Sequence, residues 1–207
     1  MSAFKFVDGM LGDDEAKTLH DLAQSLPNRH VNVVEIGSWV GKSAIIISTA
    51  LRSKEATQFF CVDPFDASSD ERAQPRLEMR ASGFSQPLWE TFNANIRRFG
   101  NAKIIVPKRG LSQEIVNDWH DEVDMLFIDG NHEFEAVKRD FSDWSPFIKE
   151  GGIILFHDTY FESPNPNIDF YYKGPGQTVK MFLKNSPDWE EICFVQSLYC
   201  ARKVAKN

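Results

Sequence analysis

Val31-Asn-Val-Val-Glu-Ile-Gly-Ser-Trp-Val-Gly-Lys-Ser43 is the stretch that decides the fold. A β-branched apolar run ends on an acid and a glycine, and a second glycine opens a helical pattern. This is the order strand, tight turn, helix N-terminus. An α/β sheet builds a nucleotide-sized pocket this way, at the carboxyl ends of its strands. Glycine permits the sharp turn and lets backbone approach a ligand closely.

Three loop chemistries compete for that turn. Gly41-Lys42-Ser43 has the ending of a phosphate loop, but that motif needs four residues between its glycines. Only Ser38, Trp39 and Val40 stand between Gly37 and Gly41. A dinucleotide fold wants glycine where Trp39 stands, and Ala44 is a weak stand-in for its third glycine. A nucleoside without phosphates needs instead an acid at each of two strand ends. Glu35 ends the first strand. Gln58-Phe-Phe-Cys-Val-Asp63 reads as the second, and Asp63 is placed to accept from two ribose hydroxyls.

Beyond the loop, Asp124-Met-Leu-Phe-Ile-Asp-Gly-Asn-His132 and Trp144-Ser-Pro-Phe-Ile-Lys-Glu-Gly-Gly-Ile-Ile-Leu-Phe-His-Asp158 are more specific. Taken with the loop and Cys61-Val-Asp-Pro-Phe65, they resemble class I S-adenosylmethionine-dependent methyltransferases. The likeness is to the small-molecule subfamily that includes macrocin-type and rhamnosyl O-methyltransferases, and it covers roughly residues 31 to 158. It implies an α/β fold with a Rossmann-like, doubly wound, mostly parallel seven-stranded sheet closed by a C-terminal antiparallel hairpin. It also implies a single domain over 1–207, with a helical segment at 1–30 and substrate-covering loops at 64–88 and 159–176. The implied reaction moves a methyl group from S-adenosylmethionine to a hydroxyl of a small acceptor, a sugar among the candidates.

The resemblance carries residues with it. Glu35, Gly37, Ser38, Gly41, Asp63, Gly110, Ser112 and Asp129 fall at cofactor-binding positions. His132, three residues past the strand-end Asp129, falls where the resembled sugar methyltransferases keep a general base. The ordinary histidine pKa suits proton removal near neutrality. Asp129 and Asp158 fall where metal-dependent relatives hold magnesium. The position before Asp158 is often another acid there and is His157 here, and imidazole suits other divalent ions better. Asp129, His157 and Asp158 are thus the expected ligands of Mg2+ or another divalent cation. The alternative is that they serve cofactor and substrate without an ion.

Composition narrows the partners. The chain has 207 residues, enough for a sizeable core. Its net charge of −7 repels a phosphate backbone, so nucleic acid is not an expected partner. No apolar run is long enough to span a membrane, and the first residues lack the apolar core of a signal peptide. A cytoplasmic chain is expected, with homo-oligomerisation left open. The three cysteines, Cys61, Cys193 and Cys200, fit no zinc spacing. Cys193 and Cys200 either face each other across a hairpin or sit as separate buried thiols.

Periodicity supplies the other elements. Helices are expected from Asp13 to the residues before Pro27, from 41 to 52, from 87 to 99, over 111–119 and from 177 to 184. Phe134, Val137, Phe141 and Trp144 form one helical stripe, read as core. Strands are expected at 31–36, 59–63, 103–106, 123–129, 153–156, 189–195 and 197–204. His20, His30 and His120 carry no partner signal. Two rivals remain: a non-catalytic nucleoside-binding module and an NAD-dependent oxidoreductase. Base and metal acids at 129, 132 and 158 argue against the first, because a binder needs neither.

Overall fold

The computed structural model describes residues 3–54, 57–68, 74–161 and 173–205. Its strands are β1 (Asn32–Ile36), β2 (Gln58–Asp63), β3 (Ile105–Arg109), β4 (Val123–Ile128), β5 (Ile148–Phe156), β6 (Trp189–Val195) and β7 (Leu198–Lys203). They form one sheet in the order β3-β2-β1-β4-β5-β7-β6. The first five are parallel, and β7 runs antiparallel between β5 and β6. This is the expected seven-stranded, doubly wound sheet with its terminal hairpin.

The order explains where a ligand can sit. The chain builds outward from β1 to β2 and β3, then returns to lay β4 against the other side of β1. The carboxyl ends of β1 and β4 therefore splay apart at a topological switch point, which is where such sheets bind ligands. β1 and β4 are buried along their whole length, as parallel strands covered on both faces must be.

Helices cover both faces. α1 (Asp13–Ser25), α2 (Lys42–Ala50) and α4 (Leu88–Phe99) pack on one side, around Leu19, Ile45, Ile47, Phe92 and Ile96. α6 (Phe134–Trp144) and α7 (Lys173–Phe182) pack on the other, around Val137, Phe141, Trp144 and Val179. Of the predicted α6 stripe, Val137, Phe141 and Trp144 are core while Phe134 is only half-buried, and each buried side chain contributes about 1.5–3 kcal/mol by leaving water. A short α3 (Gln74–Ala81) lies within the expected 64–88 loop.

Several boundaries differ from expectation. β3 starts two residues later than expected, because this edge strand is mostly half-buried and lacks a clean apolar run. The helix expected over 111–119 is α5 (Ser112–Ile115) followed by a 3-10 turn, Val116–Asp118. β5 starts at Ile148, ahead of the expected 153, and so takes in Gly151 and Gly152. They lie where the register with β4 slips between Val123 and Met125. The last helix begins at Lys173, earlier than expected. Much of the 159–176 loop, with Phe170, Tyr171 and Tyr172, lies outside the described residues, as do 69–73. Among the described residues no helix is long and apolar enough to cross a membrane.

Candidate active site

The loop after β1 is shaped by its glycines. Gly37 has φ +88°, and a Cβ there would meet the carbonyl oxygen of Asp129 at 2.2 Å. Only glycine lets the β1 and β4 ends come this close. Gly41 has φ +91° and starts α2, but it faces Phe92 and Ile96 rather than any cavity. Asp63 ties the loop down. Its Oδ2 accepts from the N–H groups of Ser38 (2.8 Å) and Trp39 (2.9 Å), and its Oδ1 from Phe65 N–H (2.6 Å).

Two cavities open off this wall, and Gly37, Asp63 and Gly130 line both. The first, about 390 Å³, runs past Gly110, Ser112 and Asn131 to Asp140. The second lies under the segment Asp8–Leu11 and reaches Ser38, Asp129 and His132. The lysine of the Gly-Lys-Ser run holds that segment down: Lys42 Nζ donates to the carbonyls of Gly9 (3.1 Å) and Leu11 (3.0 Å). A phosphate-loop lysine would point into the loop instead.

Glu35 is not at the cavity wall. It is buried beneath the loop, where its Oε2 accepts from Ser38 Oγ at 2.6 Å. Burial raises its pKa to about 7, against the pull of that hydrogen bond. Its part is to order the loop from below. Ser112 lines the first cavity and donates its hydroxyl to Asp140. Burial likewise pushes Asp140 up to about 7. Asp140 was not foreseen, since one acid on a helix gives no sequence signal.

The histidines and acids beyond β4 and β5 form one connected array. His132 Nε2 stands 3.2 Å from Asp158 Oδ2. His157 Nδ1 donates to Asp129 Oδ1 at 3.0 Å, and its Nε2 faces Glu15 Oε2 at 3.4 Å. Asp158 is held at φ +50°, an uncommon conformation for a non-glycine residue, which aims its side chain back at His132. Burial raises the Asp158 pKa, but the neighbouring His132 ring and the nearby His157 charge outweigh it, so the carboxyl lies below its usual range.

His157 departs from its expected role. Both ring nitrogens are committed to carboxylates, and only 3% of its side chain is exposed. Burial alone would favour the neutral ring. The charge of Asp129, helped by Glu15 and Asp158, overrules that and holds His157 well above the ordinary histidine value. It is therefore not presented as a metal ligand. The three groups that do come together are Asp129, His132 and Asp158, each offering one ligand atom within 4.8 Å of the others.

Glu15 is the residue that sequence reading missed. The acids at 13–15 read only as a helix start. Glu15 does cap α1, its Oε2 accepting from Gly12 N–H at 2.9 Å. It also reaches across to Ser197, whose N–H (2.9 Å) and hydroxyl (2.7 Å) both donate to Oε1. Burial opposes its charge, yet His157, Ser197 and Gly12 together lower its pKa to about 2.

Comparison with known proteins agrees with this architecture. A family model described as a methyltransferase domain matches residues 34–159. An uncharacterized protein of Acanthamoeba polyphaga mimivirus is 24% identical over 140 residues, 68% of this chain and 57% of its own length. Another, from Sinorhizobium fredii, is 28% identical over 129 residues, 61% of this chain and 13% of its own. The chain thus spans little more than half of one curated relative and a small part of the other. Among solved structures, the O-methyltransferase TomG of Streptomyces achromogenes, in complex with S-adenosylmethionine, superposes with a TM-score of 0.66. It is 17% identical, over 99% of this chain and 91% of its own. An O-methyltransferase of Bacillus cereus, in complex with S-adenosylhomocysteine, gives 0.66 at 16% identity, over 98% and 91%. At such identities the likeness is one of fold.

Proposed function

The chain belongs to the methyltransferase-domain family, and from that premise we propose that it transfers a methyl group from S-adenosylmethionine to a hydroxyl of a small acceptor, a sugar among the candidates. One observation carries the reading. A cavity of about 390 Å³ shares the Gly37–Asp63–Gly130 wall with a second cavity that ends at Asp129 and His132. A nucleoside placed in the first would present its sulfonium end to the second, which is where the base stands.

The residues present fit such a cofactor. Asp63 and Gly37 line the shared wall, and the backbone at Gly37 is as close to Asp129 as glycine allows. Gly110 and Ser112 line the far side. When bound, S-adenosylmethionine supplies an electrophilic methyl carbon. The chain's own part is orientation, worth about 7–11 kcal/mol when an acceptor oxygen is held in line, and proton removal. His132 takes the acceptor proton. The ionised Asp158 beside it steadies the imidazolium that results, as a carboxylate partner does for other catalytic histidines.

Calorimetry tests the cofactor. S-adenosylmethionine should bind with measurable heat, and Asp63→Ala should weaken it by about 1.5–3 kcal/mol, the worth of a charge-assisted hydrogen bond. Heat with NAD or ATP and none with S-adenosylmethionine would overturn the reading in favour of the oxidoreductase or nucleotide alternatives.

A divalent cation also has a place here. Asp129 and Asp158 would hold it beside His132, and it would supply Lewis-acid orientation of the acceptor oxygens. Two carboxylates with an imidazole close by suit a transition ion as well as magnesium. Exhaustive metal removal with EDTA should then abolish turnover, and added Mg2+ or Mn2+ should restore it. Full activity after stripping removes the cation from the proposal and leaves the His132–Asp158 pair to work alone.

A further inference from the structure

The terminal hairpin holds a pair of thiols that the methyl-transfer chemistry does not use. Cys193 on β6 is the register partner of Cys200 on β7, three pairs from the turn. Register partners on antiparallel strands have Cα atoms about 4.5–5.5 Å apart, inside the window of about 4.4–6.8 Å that a disulfide needs. Both cysteines are free; Cys200 is buried and Cys193 only partly so. β6 is the outer strand of the sheet, and its register slips next to Cys193, between Glu191 and Cys193. An irregular edge strand can shift to close a bond more readily than a central one.

We propose that Cys193 and Cys200 are a reversible dithiol–disulfide site, oxidised by a peroxide, whose state is transmitted to the active site through Ser197 and Glu15. The transmission half rests on the function proposed above; the chemistry of the pair does not. The sulfur of Cys193, as thiolate, attacks one oxygen of the peroxide. The O–O bond breaks and hydroxide leaves, giving a sulfenic acid. Cys200 then gives up its proton, and its sulfur attacks the Cys193 sulfur. The S–O bond breaks, and the departing hydroxide takes a proton to become water. Two thiols lose two electrons and two protons in all, and hydrogen peroxide becomes two waters.

The two sulfurs are suited to unequal parts. The Cys200 thiol hydrogen-bonds to Cys193 and brings its pKa down to about 7, while the same contact and burial push Cys200 up. Cys193 is the half-buried, thiolate-forming attacker and Cys200 the buried resolver, an arrangement typical of oxidisable pairs.

The link to the site is short. The turn joining β6 to β7 contains Gln196, at φ +53°, and Ser197. Ser197 donates twice to Glu15, and its carbonyl accepts from Thr159 N–H at 2.8 Å, one residue past Asp158. Drawing the strands together at Cys193 moves the turn against Glu15, and Glu15 holds His157.

The test uses the full chain, reduced and then exposed to hydrogen peroxide in native buffer. Intact mass should fall by two hydrogens, digestion should place the link between residues 193 and 200, and dithiothreitol should reverse it. Before oxidation, iodoacetamide should label Cys193 at least about tenfold faster than Cys61 or Cys200. Cys200→Ser and Cys200→Ala should each block the link and leave a sulfenic acid on Cys193 that dimedone traps. In the oxidised wild-type chain, amide exchange at Ser197 should quicken. A link that forms only in urea, or that involves Cys61, overturns the site. A link at 193–200 with Ser197 exchange unchanged overturns the transmission. Failure of the methyl-transfer reading would appear in calorimetry and leave the mass result as it stands.

Discussion

His132→Ala should lower kcat by roughly 10²–10⁴-fold, the usual contribution of a placed general base, with affinity for S-adenosylmethionine nearly unchanged. The argument is geometric. His132 lines the second cavity, and its imidazole is 3.2 Å from a carboxylate kept ionised by its surroundings. An alcohol is a poor nucleophile until its proton is taken, and the rate should accordingly fall on the acid side as the imidazole becomes protonated before reaction. The split between constants separates the roles. A base lowers kcat and kcat/KM together, whereas a residue that only positions acceptor raises KM and keeps kcat. A folded His132→Ala variant with wild-type kcat would falsify the base assignment.

What the sequence made legible follows from local periodicity. The strand carrying Glu35, the one ending at Asp63 and the stripe whose buried members are Val137, Phe141 and Trp144 are runs whose pattern is set by one face or two. The structure has them within a residue of expectation. That acids and glycines cluster at these strand ends was also readable, because chain order alone puts every parallel strand's end at the same edge. Partners far apart in sequence were not readable. Glu15 meets His157 across more than a hundred residues, and nothing near either position announces the meeting. His157 was expected to bind metal because it stands in a motif. The structure gives both its nitrogens to carboxylates, and one of those carboxylates comes from the helical N-terminal segment that had no assigned chemistry. Glu35 was misplaced for a related reason. Sequence shows that an acid ends the strand, but not whether its side chain faces the cavity or lies beneath the loop.

Glu15→Gln should cost about 3 kcal/mol of stability near pH 6. Glu15 is almost wholly buried and faces a protonated His157, so removing its charge leaves a buried cation short of one counter-charge, a loss of about 3–5 kcal/mol in comparable pairs. Its own titration gives a similar size. The folded pKa is about 2 against an ordinary 4.5, and each unit is worth about 1.4 kcal/mol. The sign follows from the direction of the shift. A depressed carboxyl pKa stabilises the fold fully above the ordinary value and loses that stabilisation as pH falls through the folded one. His157 runs the other way: its raised pKa stabilises below about 6.5, and the effect fades as pH rises through the folded value. Both contributions are complete between about pH 5 and pH 6, so the difference between wild type and Glu15→Gln should be greatest there. By pH 3 it should shrink to about half, because the wild-type carboxyl is then losing its advantage. Gln keeps only one acceptor oxygen where Glu15 uses two, Oε1 for Ser197 and Oε2 for Gly12, so part of the gap at pH 6 is a lost hydrogen bond and the narrowing on acidification is what reports the charge. Urea denaturation at pH 6 and pH 3 measures the two gaps. A gap under about 1 kcal/mol at pH 6, or one that does not narrow on acidification, would mean that Glu15 serves α1 as a cap and does not hold His157 in its charged form.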